Sequence, residues 1–400
     1  MPASLSISQG AAGSRPGHRL RVAVVCDYPE ERWPSMDLVA ELLIKGCRQT
    51  RSSLVSVTRI RPRFKHWLTA GGTLHPQAFK ADRLLNRLCY YPMYLRTLRQ
   101  RFDVFHIVDH SYAHLVSALQ PARTVVTCHD VDTFRCILKP RLESRSFLFR
   151  AMTLLTLRGL RCARTVVCDS RWTHSELLRH RLVQSEQLKV VPVPVAPEFR
   201  PGADPTADQR ADSLLGGTVA HPLLLHVGST IPRKRIDILL KVFARVHRGS
   251  PEVRLVRVGA PFSRQQMALL RSLSLQNAVV ELTELPRRVL AAVYRKSRLV
   301  LLPSEREGFG LPLAEALACG TPVLASDLPV LREIGGDAAE YCAVGDIDEW
   351  TGRVESALAH CDADSTDRST RRWHGIERAS HLDCSSYAEK MLSVYTTLPN

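Results

Sequence analysis

No two of the eleven cysteines stand in C-x-x-C spacing, and their number is odd. Cys26, Cys128 and Cys168 lie in apolar, strand-like runs. A disulfide frame and a zinc site are therefore not indicated, and the thiols read as reduced core residues of a cytosolic protein. Apolar runs long enough to span a bilayer are missing as well, since the longest, Phe147 to Leu160, is cut by Arg150 and Arg158. The first twenty residues, rich in Ala, Ser and Gly, lack the apolar core of a signal peptide. Glycine is absent from Asp27 to Pro34, the loop after the first strand-like run, so no G-x-G-x-x-G follows it. That absence argues against a dinucleotide-binding oxidoreductase. There is no repeat of solenoid period.

Acidic residues are scarce in one half only. Residues 1–200 hold 31 Lys/Arg against 15 Asp/Glu, whereas residues 201–400 hold 24 of each, so the whole net charge of +16 sits in the first half. Residues 51–100 carry ten cations and a single acid, Asp82. Such a field suits an anionic partner, whether a membrane surface, a lipid phosphate or a nucleic acid. It equally suits a soluble arginine-rich chain with no polyanionic partner. The length of 400 residues leads us to expect two domains, and 45% hydrophobic with 24% charged residues is ordinary for a globular protein.

Arg21–Cys26 reads as a buried strand, followed by a helix over 36–47 capped by Ser35 and a strand over 54–60. From Phe79 to Arg101, Leu84, Leu88, Tyr91 and Leu95 interleave with Arg83, Arg87 and Arg96 at helical spacing. The pattern fits a helix with a solvated basic face or one lying on an anionic membrane, and the charge favours the membrane. His106, His110 and His114 are four apart, but the first lies in a strand (104–108), so a metal is not indicated. A strand over 124–127 ends in Cys128-His129-Asp130. A polar pair directly after a buried strand lies at the carboxyl edge of the sheet, where ligands bind, a reading preferred here to simple capping. Thr165–Cys168 is a further strand, with Ser170 capping the next helix, and residues 196–219 have linker composition.

A second α/β series begins at Leu223–Val227. Gly228-Ser229-Thr230-Ile231-Pro232-Arg233-Lys234-Arg235 then precedes a helix from Ile236. Three cations before a helix N-terminus suit a diphosphate, gripped bidentately by arginine and as a point charge by lysine. Strands follow at 253–258 and 279–282. The central stretch is Pro303–Pro322, P-S-E-R-E-G-F-G-L-P-L-A-E-A-L-A-C-G-T-P, between apolar runs at 299–302 and 323–325. Gly308 and Gly310 permit a tight turn, Pro312 suits the first turn of a helix, and Gly320 closes it. The loop thus feeds free N–H groups into an anion site framed by Glu307 and Glu315. A bland alternative, with Glu315 on the helix dipole and Glu307 solvated, ranks lower because two glycines and two acids converge there.

This segment, extended through A-C-G-T-P-V, resembles the signature of retaining glycosyltransferases of family 4. The resemblance implies an α/β GT-B fold, two Rossmann-like domains facing across a cleft. Residues 1–19 would form a disordered tail, 20–195 an acceptor-side domain, 196–219 a linker, 220–375 a nucleotide-sugar domain, and 376–400 a helix packing back on the first domain. It also implies catalytic roles for His129, from its T-x-H-D sequence, and for Glu307. Donor contacts are implied at Gly228, Arg233, Lys234, Gly308, Phe309, Gly310, Leu311 and Glu315, the last at the ribose. Relatives usually place Gly-Gly where this chain has its glycine-free loop, and Asn-Gly where it has Val193-Pro194.

The expected reaction moves a sugar, with retention, from a nucleotide-diphosphate sugar to a glycan or lipid-linked acceptor of cell-envelope type. No metal or further cofactor is expected, because no Asp-x-Asp suited to bridging a magnesium ion and a diphosphate is found; Asp130-x-Asp132 has that spacing but lies in the His129 loop. Nucleic acid is not expected as a partner. The expected location is cytoplasmic and peripheral to the inner face of a membrane through the basic first half. A sugar-nucleotide epimerase or a non-catalytic binder on the same scaffold is the alternative.

Overall fold

The computed structural model describes residues 19–31, 33–50, 53–69, 76–217, 221–359 and 366–399. Apart from Arg19, the expected tail lies outside them. The first sheet contains β1 (Leu20–Val25), β2 (Val55–Ile60), β3 (Val104–Ile107), β4 (Thr124–Cys128), β5 (Thr165–Cys168) and β6 (Leu188–Val190). Its order is β2-β1-β3-β4-β5-β6. The second contains β7 (Leu223–Val227), β8 (Arg254–Val258), β9 (Val279–Leu282), β10 (Leu299–Leu302), β11 (Val323–Ser326) and β12 (Glu340–Cys342), ordered β12-β11-β10-β7-β8-β9. Every strand pairing is parallel.

Helices cover both faces of each sheet, which is why the strands read as unbroken apolar runs rather than alternating ones. In β1, Val22 and Val24 join one core cluster while Ala23 and Val25 join the other. In β10, Val300 and Leu302 face one cluster and Leu299 and Leu301 the opposite one.

Three expectations are corrected. The first helix is Pro34–Thr50, so Ser35 lies inside it and does not cap it; proline's locked φ suits the first helical position. The basic stretch 79–101 is helical only as far as Arg96, and a π turn interrupts its α-helical pattern. It is a helix at Pro76–Leu85, a π turn at Asn86–Tyr90 and a helix at Tyr91–Arg96. Its inward side includes Asp82 and Asn86, both fully buried, which bind the loop at 65–69 through its N–H and C=O groups. The linker-like stretch holds a helix, Pro205–Leu214, capped by Asp204. It buries Ala207 and Ala211 and is held by Arg295–Asp208 and Lys296–Asp212 pairs at 2.7 and 2.8 Å.

The helix Thr366–Ser380 packs on the helix Leu311–Cys319 of the second lobe. The chain then returns, with Val195 N–H donating to Leu382 O at 2.7 Å. The final helix, Cys384–Thr396, lays Tyr387, Met391 and Tyr395 into the first lobe. Burial of each contributes roughly 2 kcal/mol. Gly46 makes the approach possible: a Cβ there would lie 2.5 Å from Cys384 O.

Candidate active site

The order of the second sheet reverses between β7 and β10: the chain runs from β7 outward to β8 and β9, and from β10 the other way. Loops leaving two adjacent strands in opposite directions open a crevice at their carboxyl ends. Both loops singled out in the sequence lie there. Pro232–Lys234 form one tight 3-10 turn, and Arg235 adopts left-handed backbone (φ 49°) before the helix Ile236–Gly249. That turn aims the two preceding cations at the β10 loop. Lys234 Nζ lies 2.5 Å from Glu307 Oε1, and Arg233 donates to Glu307 Oε2 at 3.2 Å and to Arg306 O at 2.8 Å. Ser304 Oγ donates to Glu307 at 2.7 Å, and Glu305 N–H donates to Arg233 O at 2.9 Å.

Burial opposes ionisation of Glu307, but Lys234 and then Arg233 outweigh it and hold the carboxyl down at about 2. Gly310, at φ 98°, caps the helix Leu311–Cys319, with Pro312 in its first turn and Gly320, at φ 72°, ending it.

The first lobe contributes the ends of β3, β4 and β5. His129, just after β4, bonds Asp169 Oδ2 through Nδ1 at 2.5 Å and Val108 O through Nε2 at 2.7 Å. Burial disfavours its imidazolium, yet Asp169 outweighs that cost and lifts the ring to about 9. The ring is therefore charged at neutral pH, with both N–H groups donating inward. At the reversal point of this sheet, between β1 and β3, the glycine-free loop supplies a buried carboxyl, Asp27. Burial, followed by the neighbouring Asp109, raises it well above the usual carboxylate range.

The two lobes meet at these edges. Ser170 Oγ donates to Gly308 O at 2.9 Å. A Cβ at Gly308 would sit 2.0 Å from His129 O, so only glycine allows this approach. Arg233 reaches across to Asp132 at 3.3 Å and Asp130 at 3.8 Å, and Arg306 to Asp132 at 3.3 Å. Glu333 accepts from the N–H groups of Arg171 and Trp172 at 2.8 and 3.1 Å, a carboxylate at a helix start. Between the lobes lies a cavity of about 200 Å³ lined by Asp130, Asp132, Arg135, Trp172, Arg306 and Glu307 among others. A larger one, about 330 Å³, sits at the amino ends of β10, β11 and β12, away from this chemistry.

Arg233, Lys234, Glu307, Gly308 and His129 thus come together, and Gly228 joins them, close to the Lys234 stem. Glu315 stands apart: Tyr294 donates to it at 2.8 Å, and burial raises its carboxyl to about 7. Phe309 and Leu311 pack on the hydrophobic core. His129 offers no unoccupied ring nitrogen in this arrangement. Sequence reasoning missed Asp132, Asp169, Ser304, Arg306 and Tyr294 as contributors. Asp169-Ser170 follows β5 as His129-Asp130 follows β4, so the same signal was present; Ser304 bonds Glu307 three residues on, whereas the contacts of Asp132, Arg306 and Tyr294 join residues far apart in the chain. His226 is a further omission. It is buried beneath Gly228, bonds Leu301 O at 2.9 Å, and is pushed down to about 4 by that burial.

Two family models match the chain, Glycosyltransferase Family 4 over residues 48–199 and Glycosyl transferases group 1 over residues 218–368. Among similar sequences, D-inositol 3-phosphate glycosyltransferase of Gordonia bronchialis is 32% identical over 213 residues, 49% of this chain and 46% of that one. The same-named protein of Segniliparus rotundus is 32% identical over 241 residues, 58% of this chain and 51% of its own. The matched region spans about half the length of these relatives. Among solved structures, Anabaena HepE in complex with UDP and glucose superposes with a TM-score of 0.72 at 16% identity, covering 95% of this chain and all (100%) of that one. Sucrose-phosphate synthase of Thermosynechococcus elongatus gives 0.71 at 17%, covering 95% and 99%. With two parallel sheets apposed at their carboxyl edges and a family model on each half, the chain belongs to the family 4, group 1 glycosyltransferases of GT-B fold.

Proposed function

We propose that this chain transfers a glycosyl unit from a nucleoside-diphosphate sugar to an acceptor hydroxyl, with retention at the anomeric carbon. The observation that carries the reading is the convergence of Arg233, Lys234 and Glu307 at the β7/β10 crevice, opposite the His129 loop. The barrier in such a transfer lies in charge growing on the departing diphosphate while the sugar gains oxocarbenium character. Arg233, Lys234 and the N–H groups at the start of the helix Leu311–Cys319 are preorganised donors for that charge. The reading gives this task to side-chain cations and backbone rather than to a metal.

Glu307, held ionised, orients the sugar and stabilises the electron-poor anomeric carbon. His129 reaches a sugar hydroxyl by giving up its Val108 carbonyl bond while Asp169 keeps the ring charged. Glu315, which stands apart from these cations, serves the nucleoside ribose by giving up its bond to Tyr294. Asp130 and Asp132 now hold the cation that the diphosphate needs, so donor entry exchanges aspartate for phosphate at Arg233. The acceptor class is a glycan or lipid-linked precursor; a relative's name, D-inositol 3-phosphate glycosyltransferase, adds a phosphorylated polyol to the panel worth testing.

The test is acceptor-dependent nucleotide release by Glu307→Gln and Lys234→Ala. Each should lose roughly 3 kcal/mol of transition-state stabilisation, about a hundredfold in rate, without unfolding. Full activity in both would refute the assignment. Nucleotide-sugar turnover with no acceptor would select the epimerase reading instead.

A further inference from the structure

We propose that the segment 139–146 and the helix Phe147–Cys162 form a face that inserts shallowly into an anionic lipid bilayer. The helix is turned the unusual way round. Thr153, Thr156 and Gly159 lie on its buried side with Leu157 and Leu160. Most of its large apolar residues nevertheless point outward: Phe147 is 88% exposed, Leu148 and Leu154 are 57% and 54% exposed, and Leu142 before it is 78% exposed. Hydrophobic burial alone would select the opposite roll. Gly159 prevents it, because a Cβ there would lie 2.0 Å from Ala113 O. The backbone is pressed so closely on the segment His110–Ala118 that no bulky side chain fits between them.

The charge around this face identifies its occupant. Lys139, Arg141, Arg145, Arg150, Arg158 and Arg161 punctuate residues 139–162, with Glu143 the only acid. Glu143 is spent on Arg135 at 3.2 Å and Arg306 at 3.7 Å, leaving the face cationic. Apolar side chains interleaved with arginines suit the boundary of a bilayer, where rings and leucines enter the acyl layer and guanidiniums meet lipid phosphates. A soluble protein partner would need no such excess, and the excess of this whole chain lies in this half. The apolar surface continues across the same support, because the helix Tyr91–Arg96 packs on His110–Ala118 and leaves Met93 exposed. The membrane face is therefore centred on 142–155 rather than on the basic stretch 51–101 itself.

Glu143 also ties this face to Arg306 in the donor loop. Docking would hold the mouth of the cleft at the bilayer, a consequence that rests on the transfer reading and would favour an acceptor drawn from the lipid.

The test is flotation of the full chain with vesicles of mixed phosphatidylglycerol and phosphatidylcholine, and of phosphatidylcholine alone, with neither donor nor acceptor present. Wild type should float with mixed vesicles and at least about tenfold less with the neutral ones. Phe147→Ser with Leu148→Ser, and separately Leu154→Gln with Leu155→Gln, should each reduce flotation by about tenfold or more. Their melting temperature should match wild type, since the altered side chains are exposed. Absence of wild-type flotation would overturn the proposal. So would flotation that survives both apolar pairs, which is electrostatic adsorption, or a dimer that dissociates on Leu154→Gln with Leu155→Gln, which makes a second copy the occupant. Because sugar transfer is not part of the readout, failure here leaves the proposed reaction standing.

Discussion

Asp132→Asn should tighten binding of the donor diphosphate. In the structure the Asp132 carboxylate lies 3.3 Å from both Arg233 and Arg306, and these side chains are only 19–32% exposed. At an effective dielectric near 20, one such contact is worth roughly 5 kcal/mol of gross Coulomb attraction. Desolvation and side-chain ordering remove most of that, leaving a net of about 1–2 kcal/mol for a partly buried pair. A diphosphate approaching Arg233 must displace this competitor, so its removal should lower the dissociation constant about tenfold. Asparagine keeps the size and hydrogen-bonding capacity, which confines the change to charge. Calorimetric titration with UDP and with GDP, at low and high salt, measures the effect, and salt should shrink the gap between wild type and variant. Unchanged or weaker affinity for both nucleotides would show that Asp132 does not occupy phosphate territory, and the exchange at Arg233 would have to be abandoned.

Glu315→Gln should change how stability depends on pH. The folded carboxyl titrates at about 7 against an ordinary 4.5, so the wild type is relatively most stable below pH 4.5 and loses stability as pH rises towards 7. The loss relative to the variant should total about 3 kcal/mol, read by urea unfolding at a series of pH values. Parallel curves would contradict the burial argument. Gly308→Ala places a methyl 2.0 Å from His129 O, so the lobes cannot close as they do here. Its kcat/KM should fall on the order of a hundredfold while nucleotide affinity changes little, and normal turnover would show that this approach is dispensable. Glu307 titrates in the other direction: its stabilisation is complete above pH 4.5 and lost as pH falls to about 2. Glu307→Gln should therefore flatten the acid limb of unfolding, and an unchanged limb would disprove the pairing with Lys234.

Much of this protein was legible in one dimension. Buried parallel strands are short, doubly covered and almost wholly apolar, so β1, β4, β5, β7, β9, β10 and β11 stood out as runs. Their carboxyl ends announced themselves where polarity returned abruptly, at His129-Asp130 and at Gly228. The glycines of the signature marked the one place where a loop becomes a helix over an anion hole. These are local facts, governed by backbone sterics and period. What local sequence could not decide was which charges meet. Asp132 and Arg233 are a hundred residues apart, and they pair because two sheets present their carboxyl edges to each other. The same holds for the commitment of both His129 nitrogens and for the outward roll of Phe147 and Leu154, which depends on Gly159 lying against Ala113. Burial, and with it the protonation state of Glu315, is a property of packing between helices. The sequence by itself determined the two-lobed α/β scaffold and the donor-side motif, because these follow from residue type and spacing. Only tertiary structure decided the pairing of charges across the cleft and the orientation of the exposed apolar face, because both are set by contacts between segments that the chain order keeps apart.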